Sequence, residues 1–166
     1  MIQVYTGEGK GKTTAALGLA LRASGAGLRV HIIQFIKGMP YSELKAIKQL
    51  KGVRLDQCGR GCFIKTPSRE DMLCAQRGLC TAKASILGKE YDVVILDEVN
   101  VALSLGLLKT KEVLGILRRA PRHKEIILTG RLAPSAIIRK ADLVSYIKEV
   151  KHYYRRGICA RKGIEY

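Results

Sequence analysis

The chain has 166 residues and a formal net charge of +16, with 47% hydrophobic and 27% charged residues. This length fits one domain, residues 1–166, with enough apolar side chains for a buried core. No apolar run approaches the length of a membrane span, and the chain begins directly with a predicted strand rather than a leader peptide. We therefore expect a cytoplasmic protein with no membrane partner.

The five cysteines include no Cys-x-x-Cys pair, which argues against zinc or cluster ligation and favours reduced thiols. The excess positive charge is typical of proteins that bind nucleic acid, or of attraction for a small polyanion such as a triphosphate. Aromatic residues, on which bases stack, make up only 5% of the chain. Charge alone is therefore weak evidence for a nucleic-acid partner, and we do not expect one.

The first predicted elements are a strand over Met1–Tyr5, a glycine-rich turn and an Ala/Leu-rich helix over Ala15–Ala23. Strand, glycine loop and helix are the context of a phosphate-binding loop, because inward-turned N–H groups and the helix dipole both favour an anion. The predicted nucleotide-binding residues are Gly7, Glu8, Gly9, Lys10, Gly11, Lys12, Thr13 and Thr14. Lys12 can reach the phosphates, and the Thr13 hydroxyl can ligate Mg²⁺. A flexible glycine turn is the alternative, whereas a dinucleotide-binding G-x-G-x-x-G loop is excluded because Lys12 replaces its third glycine.

The later elements alternate between apolar strands and helices. The predicted strands are Arg29–Ile36, Val53–Asp56, Tyr91–Leu96, Glu125–Thr129 and Leu143–Val150. The predicted helices are Ser42–Leu50, a helix with Ser68 as N-cap that ends near Leu87, Ala102–Leu107, Thr110–Arg119 with Thr110 as N-cap, and Pro134–Lys140, with a loop over Gln57–Pro67. This alternation predicts an α/β fold with a mainly parallel sheet of about six strands and helices on both faces.

Ligands of such sheets bind at the carboxyl ends of the strands. That rule brings Lys37, Asp97-Glu98 and Arg131 to the same edge as the glycine loop. A carboxylate at a strand end, the Thr13 hydroxyl and phosphate oxygens are ligands that Mg²⁺ prefers, so Thr13, Asp97 and Glu98 are the predicted metal ligands. Lys37 and Arg131 either bind phosphate or are ordinary surface cations, and Asp97-Glu98 has the equivalent alternative of a solvated strand end.

The chain contains no Ser/His/Asp or Cys/His pattern and no His-Glu-x-x-His motif. Whatever reaction occurs, we expect the protein to supply positioning and electrostatics rather than a nucleophile of its own.

The literal sequence also resembles one family. The segments that carry the resemblance are Thr6-Gly7-Glu8-Gly9-Lys10-Gly11-Lys12-Thr13-Thr14-Ala15-Ala16, Gln34-Phe35-Ile36-Lys37-Gly38, Val94-Ile95-Leu96-Asp97-Glu98, Leu128-Thr129-Gly130-Arg131, Val150-Lys151-His152 and Gly163-Ile164-Glu165-Tyr166. In this order and from end to end, they are similar to the P-loop ATP:corrinoid adenosyltransferases, also called cob(I)alamin adenosyltransferases. The resemblance implies a three-layer P-loop (RecA-like) fold.

The resemblance further implies transfer of the 5′-deoxyadenosyl group of ATP to the Co(I) of a corrinoid, with release of triphosphate, in adenosylcobalamin biosynthesis or salvage. Family members hold ATP in reversed polarity, with the γ-phosphate where other P-loop proteins hold inner phosphates. Carried over, Lys12, Thr13 and Glu98 would be the catalytic residues, and Thr13 with Glu98 would hold Mg²⁺. The resemblance also implies an external reductant for cobalt and a homodimer.

Many family members carry a Phe-x-Trp pair in the loop after the third strand, where it eases cobalt reduction by displacing the lower ligand. Here that loop reads Gly59-Arg60-Gly61-Cys62-Phe63-Ile64, and the chain contains no tryptophan. We expect Phe63 and Ile64 to form an apolar wall for the corrin.

Two other classes of function compete with this interpretation. The glycine loop and the positive charge also fit a small nucleic-acid-stimulated RecA-like ATPase, which would hydrolyse ATP faster with nucleic acid present. A non-catalytic nucleotide-binding module would bind Mg-ATP and consume none. Only adenosyl transfer accounts for the distal segments as well as the loop.

Overall fold

The computed structural model describes residues 1–61, 64 and 66–166. The strands are β1 (Ile2–Thr6), β2 (Val30–Lys37), β3 (Val53–Gly61), β4 (Val93–Asp97), β5 (Glu125–Thr129) and β6 (Leu143–Tyr146). The helices are α1 (Lys12–Gly25), α2 (Glu43–Ile47), α3 (Arg69–Leu87), α4 (Val99–Ser104), α5 (Thr110–Arg119) and α6 (Ser135–Lys140), and a 3₁₀ helix covers Tyr153–Arg156.

The described strands form one six-stranded sheet in the order β3-β2-β4-β5-β1-β6. Every pair of neighbours in this order is parallel. The predicted parallel α/β sheet is therefore confirmed. Because all the strands run the same way, the ends of β1, β2, β4 and β5 meet at one edge of the sheet, called here the carboxyl edge.

Two apolar clusters lie on opposite faces of the sheet. Val94 and Leu96 of β4 belong to the larger cluster, with residues of α3, α4 and α5. Val93 and Ile95 belong to the smaller cluster, where the small side chains of α1 pack on the sheet. Successive side chains of β4 thus point to opposite faces of the sheet and pack into two cores. Helices, sheet and helices form the three layers expected of this fold.

The prediction of a loop over Gln57–Pro67 is wrong in its first half, because β3 continues to Gly61. Pairing with β2 is maintained to the Lys37–Gly61 partners, with a register shift between Phe35 and Lys37. A side chain at Gly59 would collide with the Ile36 carbonyl oxygen. This glycine therefore permits a close approach to the irregular end of β2 rather than a turn.

Several predicted boundaries also move. α1 begins at Lys12 rather than Ala15, and α4 begins at Val99 rather than Ala102, so both helices start directly after the loops that carry polar residues. α2 and β6 are shorter than predicted and end at Ile47 and Tyr146. The N-cap of α5 is Lys109, and Thr110 is its first helical residue. Ser68 caps α3 as predicted, in a reciprocal pair of hydrogen bonds with Asp71.

Within the described ranges, no helix combines the length and apolar character needed to cross a membrane. Cys58, Cys74, Cys80 and Cys159 all carry free thiols.

A buried histidine of β2 contacts both β3 and α3, away from the carboxyl edge. His31 is 1% exposed, and its ring nitrogens hydrogen-bond Ser85 Oγ at 2.7 Å and Asp56 Oδ2 at 2.9 Å. Burial lowers the pKa of His31 below its usual value, although the Asp56 carboxylate opposes this shift. The neutral imidazole is therefore the form that the folded protein favours.

This burial predicts a loss of stability on acidification. The folded pKa of His31 lies below the unfolded value of about 6.5, so the unfolded chain binds the proton first as the pH falls. The free energy of unfolding should fall from about pH 7 downward, by about 1.4 kcal/mol for each unit of pKa difference. Urea unfolding between pH 7.5 and 5 measures this decrease in the free energy of unfolding.

The control compares two histidines. His31→Gln should flatten the pH dependence of the unfolding free energy, whereas His123→Gln, at an exposed position before β5, should leave it unchanged. Equal pH slopes in the wild type and His31→Gln would contradict the assignment.

Candidate nucleotide and metal site

The segment between β1 and α1 is a glycine loop whose shape depends on its glycines. Gly7 and Gly11 have φ angles of 100° and 116°, in the left-handed region. A Cβ at Gly7 would lie 2.5 Å from the carbonyl oxygen of Ile147, and Gly9 donates its N–H to the same oxygen at 2.8 Å. The loop is therefore wedged against the backbone that follows β6.

The loop leads directly into α1. Lys12 is the first helical residue after Gly11, and no side chain caps the first turn of this fully described helix. Its leading N–H groups and the positive end of its dipole are the features that attract a phosphate group. The arrangement suits the predicted binding of phosphate by Gly7–Thr14, which stays a prediction.

The Lys12 side chain turns back into the loop. Its ammonium group donates to the carbonyl oxygens of Gly7 at 2.8 Å and Gly9 at 2.6 Å. Burial, followed by the charge of Arg131, lowers its pKa. A lysine held in this way is a desolvated cation at the centre of the loop, and an incoming polyanion would relieve its electrostatic cost.

The buried carboxylate of Asp97 organises the carboxyl edge. Its Oδ1 accepts hydrogen bonds from the hydroxyls of Thr13 at 2.9 Å and Thr129 at 2.7 Å. Its Oδ2 accepts from Gln34 Nε2 at 3.1 Å and Lys37 Nζ at 2.9 Å. We call these five residues the Asp97 cluster; they join α1, β2, β4 and β5.

Lys37, at the end of β2, is the cation of the Asp97 cluster. Its ammonium group also lies 3.2 Å from the Thr13 hydroxyl oxygen. Burial alone would lower the pKa of Lys37, but the charge and hydrogen bond of Asp97 outweigh it and raise the pKa. Lys37 is therefore firmly protonated and lies beside the predicted metal ligand.

Glu98 follows Asp97 in a left-handed backbone conformation, with φ of 61°. Its N–H donates to Thr129 Oγ1 at 3.0 Å, and a Cβ at Gly130 would lie 3.2 Å from its Oε2. Burial and then the neighbouring Asp97 charge raise the pKa of this carboxyl. A carboxylate desolvated beside another carboxylate is stabilised by a bound cation, as the predicted metal role requires.

Two of the predicted phosphate-binding residues pair with each other. Arg131 Nη1 lies 3.3 Å from Glu8 Oε2, and both side chains are exposed. An exposed pair contributes little to stability, so Arg131 is free to change partner at low cost.

Lys10 points away from the loop towards the C-terminal tail. Its Nζ lies 2.7 Å from both Tyr153 Oη and Glu165 Oε1, and it also donates to the Ile164 carbonyl oxygen at 3.1 Å. The hydrogen bond to Glu165 is the main reason that the pKa of Lys10 is raised. The structure thus gives Lys10 a second role, which is to anchor the tail to the loop.

Of the two residues predicted to face a corrin, the structure describes one. Phe63 lies outside the described residues. Ile64 is half-buried and packs against the larger apolar cluster.

The described donor set at the carboxyl edge is small. Among the residues that the structure describes, no group of three or more His, Cys, Asp and Glu side chains could hold a metal ion. The Thr13 hydroxyl and the Glu98 carboxylate are hard oxygen donors, which fits Mg²⁺ that takes its remaining ligands from phosphate and water. Asp97 already accepts four hydrogen bonds, one of them from Thr13, and its direct ligation of a metal stays a prediction.

Sequence reasoning assigned no role to Gln34, Thr129 and Glu165, which the structure places at the site. Gln34 interrupts the apolar run of β2 and Thr129 ends the apolar run of β5, and that signal was available. The contact between Lys10 and Glu165 joins residues 155 apart in sequence, and no local pattern predicts it.

Comparison with known proteins gives a consistent result. The family described as ATP:corrinoid adenosyltransferase BtuR/CobO/CobP matches residues 1–166. A corrinoid adenosyltransferase of Escherichia coli (strain K12) is 36% identical over 167 residues, which cover 100% of this chain and 85% of the relative.

Two further relatives have similar coverage. The corrinoid adenosyltransferase CobA of Salmonella typhimurium (strain LT2) is 36% identical over 171 residues, covering 100% of this chain and 85% of the relative. A corrinoid adenosyltransferase of Pseudomonas aeruginosa is 33% identical over 169 residues, covering 100% and 83%. The chain therefore belongs to the ATP:corrinoid adenosyltransferase family.

Proposed function

We propose that this chain transfers the 5′-deoxyadenosyl group of ATP to the Co(I) of a corrinoid, with release of triphosphate. The electron pair of Co(I) forms the Co–C5′ bond, while the C5′–O bond of ATP breaks and its electrons leave with the triphosphate. The observation that carries the proposal is the Asp97 cluster beside the glycine loop. Its groups position and neutralise a polyanion, and the nucleophile comes from the substrate.

The glycine loop would hold the leaving triphosphate. Gly7–Thr14 would bind it in reversed polarity, with the γ-phosphate in the loop. The ammonium of Lys12, which now donates to two loop carbonyls, would exchange them for phosphate oxygens. Lys37 and Arg131 would add positive charge, since charge that builds on a leaving group is stabilised by preorganised cations.

Mg²⁺ would be held by Thr13 and Glu98. Asp97 would orient the Thr13 hydroxyl by accepting its hydrogen bond, as the distance of 2.9 Å allows. The Thr13 oxygen, which now accepts a hydrogen bond from Lys37 at 3.2 Å, would turn a lone pair to the metal. Mg²⁺ when bound would supply neutralisation of the triphosphate charge. The raised pKa of Glu98 supports this assignment, because a desolvated carboxylate gains most from a cation.

The remaining partners follow from the reaction and the surface. Co(I) requires an external one-electron reductant acting on Co(II).

We also propose a cytoplasmic homodimer that binds no nucleic acid. The edge strand β6 exposes Leu143, Val144 and Tyr146, which supports association through apolar contact. Light scattering should give the mass of a dimer. The mass of a monomer at micromolar concentration would contradict the proposed homodimer.

The decisive assay combines the protein, Mg-ATP and a chemically reduced corrinoid. The expected products are a light-sensitive Co–C corrinoid and triphosphate. Phosphate or pyrophosphate without an alkylated corrin would overturn the proposal, and ATP hydrolysis stimulated by nucleic acid would favour the ATPase alternative. Binding of Mg-ATP without any turnover would indicate a non-catalytic nucleotide module.

Lys12→Ala should lower the rate of adenosyl transfer by about 100-fold or more, because it removes the buried cation that faces the leaving group. The measurement is kcat/KM for ATP with preformed Co(I). Arg22→Ala is the matched control, since it removes one positive charge from the exposed end of the same helix. A near-normal rate in Lys12→Ala would contradict the assigned role.

Phe63→Ala should mainly slow the route that starts from Co(II), and affect preformed Co(I) less, because the apolar wall is proposed to ease reduction. The wild type and Phe63→Ala are therefore each assayed twice, once with Co(II) plus a reductant and once with Co(I) prepared in advance. Equal losses in the two assays would remove Phe63 from the reduction step.

A further inference from the structure

A row of three polar side chains crosses the sheet at its carboxyl edge. Gln34 on β2 is in register with Asp97 on β4 and with Gln57 on β3. Gln34 Nε2 donates to Asp97 Oδ2 at 3.1 Å, and Gln34 Oε1 accepts from Gln57 Nε2 at 3.2 Å. Gln57 Nε2 also donates to the Met39 carbonyl oxygen at 3.1 Å.

The direction of these hydrogen bonds is uniform. Each amide group of Gln34 and Gln57 turns its NH₂ towards Asp97, so the two dipoles reinforce one another at the carboxylate. Gln34 is fully buried, and a buried amide must keep both its donor and its acceptor paired. Its orientation is therefore fixed by Gln57 on one side and by Asp97 on the other.

Asp97 in turn fixes the two side chains that face the proposed ligand. With Thr13 and Thr129 on Oδ1, and Gln34 and Lys37 on Oδ2, its acceptor sites are filled. Of these four partners, Gln34 and Thr129 are completely buried on inner strands, and Gln34 is the one that shares Oδ2 with Lys37. Loss of this donor would free Oδ2 to rotate towards Lys37 and would shift Oδ1 away from Thr13.

We propose that Gln34 is a positioning residue for metal-bound nucleotide, acting through Asp97 on Thr13 and Lys37, and that Gln57 holds Gln34 in place. The proposal deepens the proposed function and rests on it only for the identity of the nucleotide. In this proposal neither glutamine contacts a phosphate or metal. Gln34 orients Asp97, which in turn orients Thr13 and Lys37, and Gln57 orients Gln34.

The test compares three glutamine-to-methionine variants, which keep side-chain length and remove the amide. Gln34→Met breaks both bonds of the row. Gln57→Met, at a half-buried position, breaks the outer bond of the row and the bond to the Met39 carbonyl oxygen. Gln3→Met is the matched control, because Gln3 also bonds two side chains, Glu125 and Tyr5, but lies near the start of β1.

The readout is the affinity of the protein for Mn²⁺-ATP, measured by equilibrium dialysis, which requires no corrinoid. Partners of metal ligands typically change metal affinity by about 10–100-fold. We expect a loss of about tenfold for Gln34→Met, a smaller loss of the same kind for Gln57→Met, and none for Gln3→Met. Thermal unfolding of each variant shows whether it is folded.

A merely structural role would give a different result. Gln34→Met would then melt earlier but bind Mn²⁺-ATP as the wild type does, and that outcome overturns the proposal. If Gln34→Met does not fold, unchanged Mn²⁺-ATP affinity in Gln57→Met overturns it equally.

A second variant tests the direction of the donor. Gln34→Glu has nearly the same shape but replaces the NH₂ that faces Asp97 Oδ2 with an oxygen, so it should weaken Mn²⁺-ATP binding more than Gln34→Met at pH 8. Binding equal to that of the wild type would refute the orienting role. Failure of the wild type to adenosylate a corrinoid, with these Mn²⁺-ATP effects intact, would reject the proposed function and leave the positioning role standing.

Discussion

The buried carboxylate of Asp97 is the constraint on which the rest of the structure depends. A charge that is 1% exposed is tolerable only when cations and hydrogen-bond donors surround it. The fold supplies them by ending β2, β4 and β5 at one edge and starting α1 there, so that Thr13, Lys37 and Thr129 all reach the same group. Each partner contributes a hydrogen bond or an opposite charge, so removal of any one would weaken the compensation of this buried carboxylate.

A second constraint joins the two ends of the chain. Gly7 and Gly9 pack against the Ile147 backbone, and Lys10 bonds Glu165. The tail therefore lies against the loop proposed to hold triphosphate, while Asp97 accepts a hydrogen bond from Thr13 in the first turn of α1. Both sets of contacts hold backbone and side chains in place, and neither provides a nucleophile. This division agrees with the proposed reaction, in which the corrinoid substrate would contribute the nucleophile.

Much of this was predictable from the sequence because the relevant signals are local. Buried runs that end in Lys37 or Asp97, and a glycine loop that ends in Lys12, predict a shared edge through the geometry of parallel sheets. The sequence did not predict the extension of β3, because a glycine such as Gly59 is typical of turns. The structure explains this glycine by its close approach to the irregular end of β2. The bonds of Lys10 depend on a distant tail. The row of glutamines depends on strand register, which composition does not encode.

The central claim is that these groups stabilise a leaving triphosphate, so that the bond at the ribose C5′ breaks rather than a bond between phosphates. The most direct measurement uses ATP labelled with ¹⁸O at the bridging 5′-oxygen, with Mg²⁺ and a reduced corrinoid. Mass spectrometry of the products then locates the label. The account predicts that all of the label leaves in triphosphate, with one triphosphate for each Co–C bond formed. Label retained in ADP or AMP, with unlabelled phosphate or pyrophosphate released, would contradict it.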